Sequence, residues 1–164
     1  MNMPEPPRPA AYPVRRVEAG DLPAIVEFEV AIARVSFGAD AIVDPRVHAR
    51  RVTAAMGRAG EIMLVAGAPG TTAVGWAWLS RRTNSLTGAR YGNFRSLAVA
   101  EHPQRAVIGE SLMAAVIRRC HADGIPEVVG KVHADNLAMR TLYRAFDFEA
   151  VHLTMRRQLD RAAS

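Results

Sequence analysis

Two segments of this 164-residue chain carry residue types at spacings that could do chemistry. The first runs from Leu97 to Gly109, where a β-like stretch gives way to a helical one. The start of a helix leaves backbone N–H groups unpaired and carries partial positive charge, so it can hold a phosphate without any side-chain charge. Gly109 would let a ligand approach the backbone closely, and Arg105 would add a charged contact. The same residues also suit an ordinary strand-to-helix turn, because every helix begins with free N–H groups. The second segment runs from Asn136 to Phe148. Asn136 stands where a helix needs an N-cap. Tyr143 lies about two turns further along the same face, and on its own it reads equally well as a core aromatic with one hydrogen bond.

The elements that must position these residues follow from periodicity and turn chemistry. Val14–Val17 reads as a short strand. Asp21 offers an N-cap, and Leu22, Ile25, Val26, Phe28, Val30 and Ile32 form a mostly apolar helical window. Pro23 is tolerated in its first turn, where no N–H is needed. Val35–Ile42 reads as irregular. Asp44 and Pro45 start a second helix, which is expected to run to about Arg58 and end at Gly60. Glu61–Ala68, Thr72–Ser80 and Tyr91–Val99 read as three successive antiparallel strands, joined by the turn Gly67–Gly70 and the polar stretch Arg81–Ala89. Ala100–Ala106 is a connection. Ile108–His121 is an amphipathic helix stopped by Gly124. Val128–Val132 is a buried strand, Asn136–Phe146 a helix, and Phe148–Gln158 a closing strand. The order predicts one α/β (α+β) domain.

Composition narrows the function classes. Hydrophobic residues make up 49% and charged residues 23%, which excludes a wholly disordered chain. No apolar run approaches the roughly 20 residues of a membrane helix, so no membrane partner is expected. Residues 1–11 are Pro-rich without an apolar core of a signal peptide, and are expected to be a disordered tail before a domain over residues 12–160. A cytoplasmic location is the matching expectation. The single cysteine, Cys120, sits in an apolar helical pattern and reads as a buried thiol. No metal site is expected. The net charge of +5 is spread over scattered arginine pairs, with no block of like charge. A nucleic-acid-binding domain would be suggested by the basic balance alone. No aromatic-plus-basic recognition pattern supports it, so no nucleic-acid partner is expected.

Taken together, in this order and on these elements, the two segments resemble the GNAT superfamily of acyl-CoA-dependent N-acetyltransferases. Its cofactor loop, Gln/Arg-x-x-Gly-x-Gly/Ala, falls here on Gln104, Arg105, Ala106, Val107, Ile108 and Gly109. Leu97, Ala98 and Val99 stand at the family's preceding strand end. Asn136, Leu142, Tyr143 and Phe148 match the later Asn-x-x-Ala-x-x-Leu-Tyr-x-x-x-Gly-Phe segment at the same spacings. The resemblance implies a mixed, mostly antiparallel sheet with a splayed central parallel strand pair, flanked by about four helices. It implies acetyl-CoA as co-substrate and a primary amine of a small molecule or peptide as acceptor. The backbone of Leu97 to Val99 would pair with the pantetheine arm. Gln104 to Gly109, with Glu110 and Ser111, would surround the pyrophosphate. Asn136 would contact the cofactor or an ordered water beside it, with Met139 close by. A backbone N–H near Val99 would stabilise the carbonyl oxygen, and the leaving thiolate would take a proton from Tyr143. A homodimer through the C-terminal strands is a further expectation from the resemblance.

Three positions depart from the family pattern: Val107 and Asp147 replace glycines, and Met139 replaces an alanine. Asp tolerates a left-handed turn, so position 147 is the mildest. The departures leave a second reading, a catalytically degenerate acyl-CoA-binding module of the same fold. The family's strand carboxylate falls on Asn93, which cannot act as a base. Glu101, His102 and His133 are the nearest titratable residues in sequence, and ordered water is the remaining route. Acceptor choice would depend on Ala31–Val43, on Arg81–Arg90 and on the last strand. The arginine-rich turn points to an anionic acceptor such as an amino acid or peptide carboxylate.

Overall fold

A computed structural model describes residues 11–159. In chain order the elements are β1 (Val14–Arg16), α1 (Leu22–Phe37), α2 (Pro45–Ala55), β2 (Glu61–Ala66), β3 (Gly75–Thr83), β4 (Arg90–Val99), α3 (Arg105–Ala122), β5 (Val128–Gly130) and α4 (Leu137–Ala145). The five strands lie side by side in sequence order. All neighbours are antiparallel except β4 and β5, which are parallel and joined through α3. The single mixed sheet with four helices is the architecture read from the sequence.

The sheet separates two cores, as strand alternation requires. On one face Ala77, Leu79 and Phe94 pack against Ile108, Leu112, Met113 and Val116 of α3. On the other, Met63, Val65, Trp76 and Trp78 pack against Ile25 of α1 and Val52 of α2. Cys120 is buried in the first core, and burial pushes its thiol pKa up, so it stays an inert thiol.

Several boundaries differ from the sequence reading. The Asp44 carboxylate accepts the Arg46 N–H at 2.9 Å and caps α2 as expected. Asp21 precedes α1 but does not cap it; its carboxylate closes the short turn before the helix instead. Arg15 takes its carboxylate in a two-pronged ion pair at 2.7 and 2.9 Å, and the Glu18 N–H holds it at 2.8 Å. Helix α1 continues to Phe37, through the segment read as irregular, and stops at Gly38, whose φ of 54° favours glycine. β3 runs on through Arg81 and Arg82 to Thr83, because β4 supplies partners as far as Arg90. The closing strand expected at Phe148–Gln158 is absent among the described residues: residues 148–159 join no ladder, and Val151, Leu153 and Met155 are exposed. The apolar alternation there finds no sheet edge among the described residues.

Candidate active site

A fork opens between β4 and β5, the last strand of the sheet among the described residues. Their parallel pairing covers only Gly92 with Val128, Asn93 with Val129 and Phe94 with Gly130. Beyond that point β5 ends while β4 continues to Val99. The β5-facing backbone of Arg95–Val99, which includes Leu97, Ala98 and Val99, therefore has no strand partner among the described residues. The splayed parallel pair expected from the sequence is this fork.

The continuing half of β4 leads into α3, which begins at Arg105, three residues before the expected start. Gln104 occupies the N-cap position, and the motif from Arg105 to Gly109 is the first turn of the helix. The Gln104 N–H is taken by His102 Nδ1 at 3.0 Å, and the Arg105 N–H by the His102 carbonyl at 3.1 Å. The Ile108 N–H returns to the Gln104 carbonyl at 2.9 Å. Between them the N–H groups of Ala106 and Val107 have no acceptor among the described residues. Two adjacent donors at a helix N-terminus form an anion cradle. Val107 has ordinary helical dihedrals, since Asp147 is the one non-glycine residue with positive φ among those described. The missing middle glycine therefore costs the loop nothing in backbone conformation. Gly109 is buried, and a Cβ there would be 3.8 Å from Val99 and Leu142, an ordinary contact.

The other motif residues divide by position. Gln104, Arg105, Ala106 and Glu110 are exposed along the start of α3, and Arg105 pairs with Glu101 at 3.2 Å. Ile108 is fully buried in the core. Ser111 is buried as well, and its hydroxyl oxygen accepts the Tyr12 N–H at 2.9 Å. Asn136 Oδ1 accepts the Met139 N–H at 3.1 Å, which makes Asn136 the cap of α4. Met139 packs against the α3-side core.

Tyr143 stands at the apex of the fork. Its ring meets Phe94 edge-on with centroids 6.3 Å apart and lies 4.6 Å from Phe148. The end of α4 fixes this packing. The Asp147 N–H returns to the Arg144 carbonyl at 3.1 Å, and the Phe148 N–H to the Tyr143 carbonyl at 3.0 Å. Asp147 sits at φ 62°. This is a Schellman closure, with Asp in the place usually held by glycine. The Tyr143 hydroxyl lies against Gly130, the last paired residue of β5. It has no hydrogen-bond partner among the described residues, yet it is not among the sealed polar atoms. Burial pushes its pKa up to about 12, so the hydroxyl stays protonated at neutral pH.

Glycine at 130 is needed for this arrangement. A Cβ there would overlap the Tyr143 hydroxyl and come within 2.8 Å of Cζ. Gly130→Ala is expected to displace the ring and to lower stability by about 1–3 kcal/mol. Urea denaturation followed by circular dichroism measures this, and an unchanged midpoint would contradict the packing described here.

No sequence-nominated base reaches the fork through a visible network. His133 lies in the turn after β5, half exposed, with Nδ1 accepting the Asp135 N–H at 3.2 Å. Glu101 is exposed beside Arg105, and His102 packs edge-on against Tyr12. Asn93 lies in β4, paired with Ser80 and Val129. A shallow depression of ≈ 240 Å³, lined by Arg81, Arg82, Thr83, Arg90, Tyr91 and Ile125, opens at the opposite end of β3 and β4 from the start of α3.

The sequence reading missed a polar group on the α1–α2 face. Glu29, 2% exposed, accepts Trp76 Nε1–H at 2.8 Å and pairs with Arg51. Glu61 accepts Trp78 Nε1–H at 2.8 Å and the Ser80 hydroxyl at 2.5 Å. Arg95 lies over the Trp78 ring, 4.1 Å from its centroid. One signal was present: Glu29 falls four residues after Ile25 and three before Ile32, a charge on a buried helical stripe.

Comparison with known proteins adds to this geometry. The model of the acetyltransferase (GNAT) family matches residues 34–148. No curated protein sequence matches the chain significantly. Solved structures share the fold at low identity. A mutant of the BH1408 protein of Bacillus halodurans is 15% identical, with a TM-score of 0.79 over 89% of this chain and 99% of that one. An acetyltransferase of Trypanosoma brucei is 21% identical, with a TM-score of 0.64 over 90% of this chain and 99% of that one. A transcriptional regulator of Bacillus halodurans C-125 is 16% identical, with a TM-score of 0.73 over 90% and 99%. With its family motifs placed on a fork between parallel strands and on the helix start that follows, the chain belongs to the GNAT acetyltransferase family.

Proposed function

We propose that the chain transfers the acetyl group of acetyl-CoA to a primary amine by direct attack on the thioester. One observation carries this reading: the Tyr143 hydroxyl stands at the apex of the β4–β5 fork, beside a half-strand of unpaired backbone that leads to two free N–H groups. The residues present fit the cofactor's chemistry. The Ala106 and Val107 N–H groups suit its pyrophosphate, and the open side of Leu97–Val99 suits the amides of its pantetheine arm.

In this mechanism the new C–N bond forms as the C–S bond breaks. An N–H near Val99 takes the developing charge on the carbonyl oxygen. The amine loses its proton to water, as the nominated His133, Glu101 and His102 are all engaged elsewhere among the described residues. Tyr143 donates a hydrogen bond to the departing sulfur. With a pKa of about 12, against about 8.5 for an ordinary thiol, full proton transfer from Tyr143 is uphill. The thiolate therefore leaves hydrogen-bonded to the phenol and takes its lasting proton from solvent.

The test is a thiol-release assay with acetyl-CoA and a panel of primary amines, with product masses recorded. Amine-dependent release with a matching acetylated product is the expected result. Acetyl-CoA binding with no release for any amine would overturn transfer and leave an acyl-CoA-binding module.

A further inference from the structure

Arg95 occupies an irregular place in the sheet. Trp78 pairs with Ser96 and Leu79 with Phe94, so Arg95 is the extra residue of a β-bulge. Such a bulge re-aims a side chain. Here it lays the guanidinium over Trp78 on the α1–α2 face, opposite the face where Phe94 and Tyr143 pack. Arg95 immediately follows Phe94, the last β4 residue paired with β5, so it flanks the fork. Tyr143 and Phe148 pack on the other face, so the Arg95 face of β4 is free of them.

Among the described residues Arg95 forms no ion pair. Both neighbouring carboxylates are already engaged: Glu29 by Trp76 and Arg51, and Glu61 by Trp78 and Ser80. Arg95 is exposed, and partial desolvation, then the positive Arg51 with Arg82, hold its pKa below the ordinary value against the pull of Glu61 and Glu29. Three guanidiniums face two carboxylates, which leaves one net positive charge at a stacked, planar donor. That is complementary to a single carboxylate, which a guanidinium can grip with two parallel hydrogen bonds.

We propose that Arg95, supported by Arg51 and Arg82, binds the carboxylate of an acceptor amine that carries one, an amino acid, and so selects the substrate. The identification of that ligand as the acetyl acceptor rests on the acetyltransferase reading; the carboxylate site itself does not. The group held at Arg95 would place its amine toward the fork beside Phe94.

Trp78 lies beneath Arg95, so tryptophan fluorescence reports on the site directly. The protein, without acetyl-CoA, is titrated with common α-amino acids, with the amide of each, and with inorganic phosphate. At least one amino acid is expected to bind about tenfold or more tightly than its own amide, and more tightly than phosphate. Arg95→Gln is expected to abolish that difference and Arg95→Lys to retain part of it. Arg82→Gln, at an exposed position, is expected to weaken binding with the fold intact. Equal binding of acids and amides, no binding by any amino acid, tighter binding of phosphate, or an unchanged preference in Arg95→Gln would each overturn the proposal. Because acetyl-CoA is left out, failure of acetyl transfer would not alter this readout. Transfer to amides and acids alike would count against the carboxylate site alone.

Discussion

Replacing Tyr143 with Phe is expected to lower kcat by about 10²-fold, the usual cost of losing one donor to charge that develops in the transition state. Three observations limit the change to that step. The hydroxyl has no partner among the described residues, so its loss leaves no buried group unsatisfied. The ring contacts to Phe94 and Phe148 involve carbon and survive the substitution. The free N–H groups at Ala106 and Val107 lie on α3 and are untouched. The dissociation constant for acetyl-CoA and the thermal midpoint should both stay at wild-type values. The pH profile offers a second check. Because burial raises the phenol pKa to about 12, the donor form persists below that pH. No alkaline loss of kcat below it should be traceable to Tyr143. Full activity in Tyr143→Phe would remove this residue from the mechanism.

Ala106→Pro is expected to raise the dissociation constant for acetyl-CoA by about ten- to a hundredfold, the range for losing a hydrogen bond to a charged group. The substitution is selective. Proline deletes the free N–H, and Ala106 is exposed at the second position of α3, where no intrahelical bond uses that N–H. The chain already tolerates the arrangement, since Pro23 holds the second position of α1 behind Leu22. Circular dichroism should therefore show an intact fold while calorimetry shows weakened binding. Unchanged affinity would mean that the start of α3 does not hold the pyrophosphate.

The scaffold was legible where side-chain pattern and turn residues agreed. The stripe of Ile108, Leu112 and Val116 marked α3, and the Asp44–Pro45 pair marked the start of α2. Tyr143 was legible through its spacing from Asn136 and Phe148, and Asp147 does adopt the left-handed turn that glycine would have taken. Other features depend on tertiary partners that one strand's sequence does not contain. The alternation Val151, Leu153, Met155 specifies a strand-like face but not an edge to pair with, and the structure supplies none among the described residues. Arg81 and Arg82 looked like a polar turn, yet β4 extends far enough to pair with them. The bulge that turns Arg95 onto Trp78 appears only once two strands are in register. Asn136 shows the converse case: local capping chemistry accounts for its Oδ1 without any ligand.

The most direct test of acetyl-CoA use is calorimetric titration of the folded protein with acetyl-CoA, with desulfo-CoA and ATP as controls. Saturable micromolar-range binding of both CoA compounds, weaker binding of ATP, and loss of affinity in Ala106→Pro are the expected results. A folded sample that binds neither CoA compound would contradict the proposal and leave the fold without its cofactor.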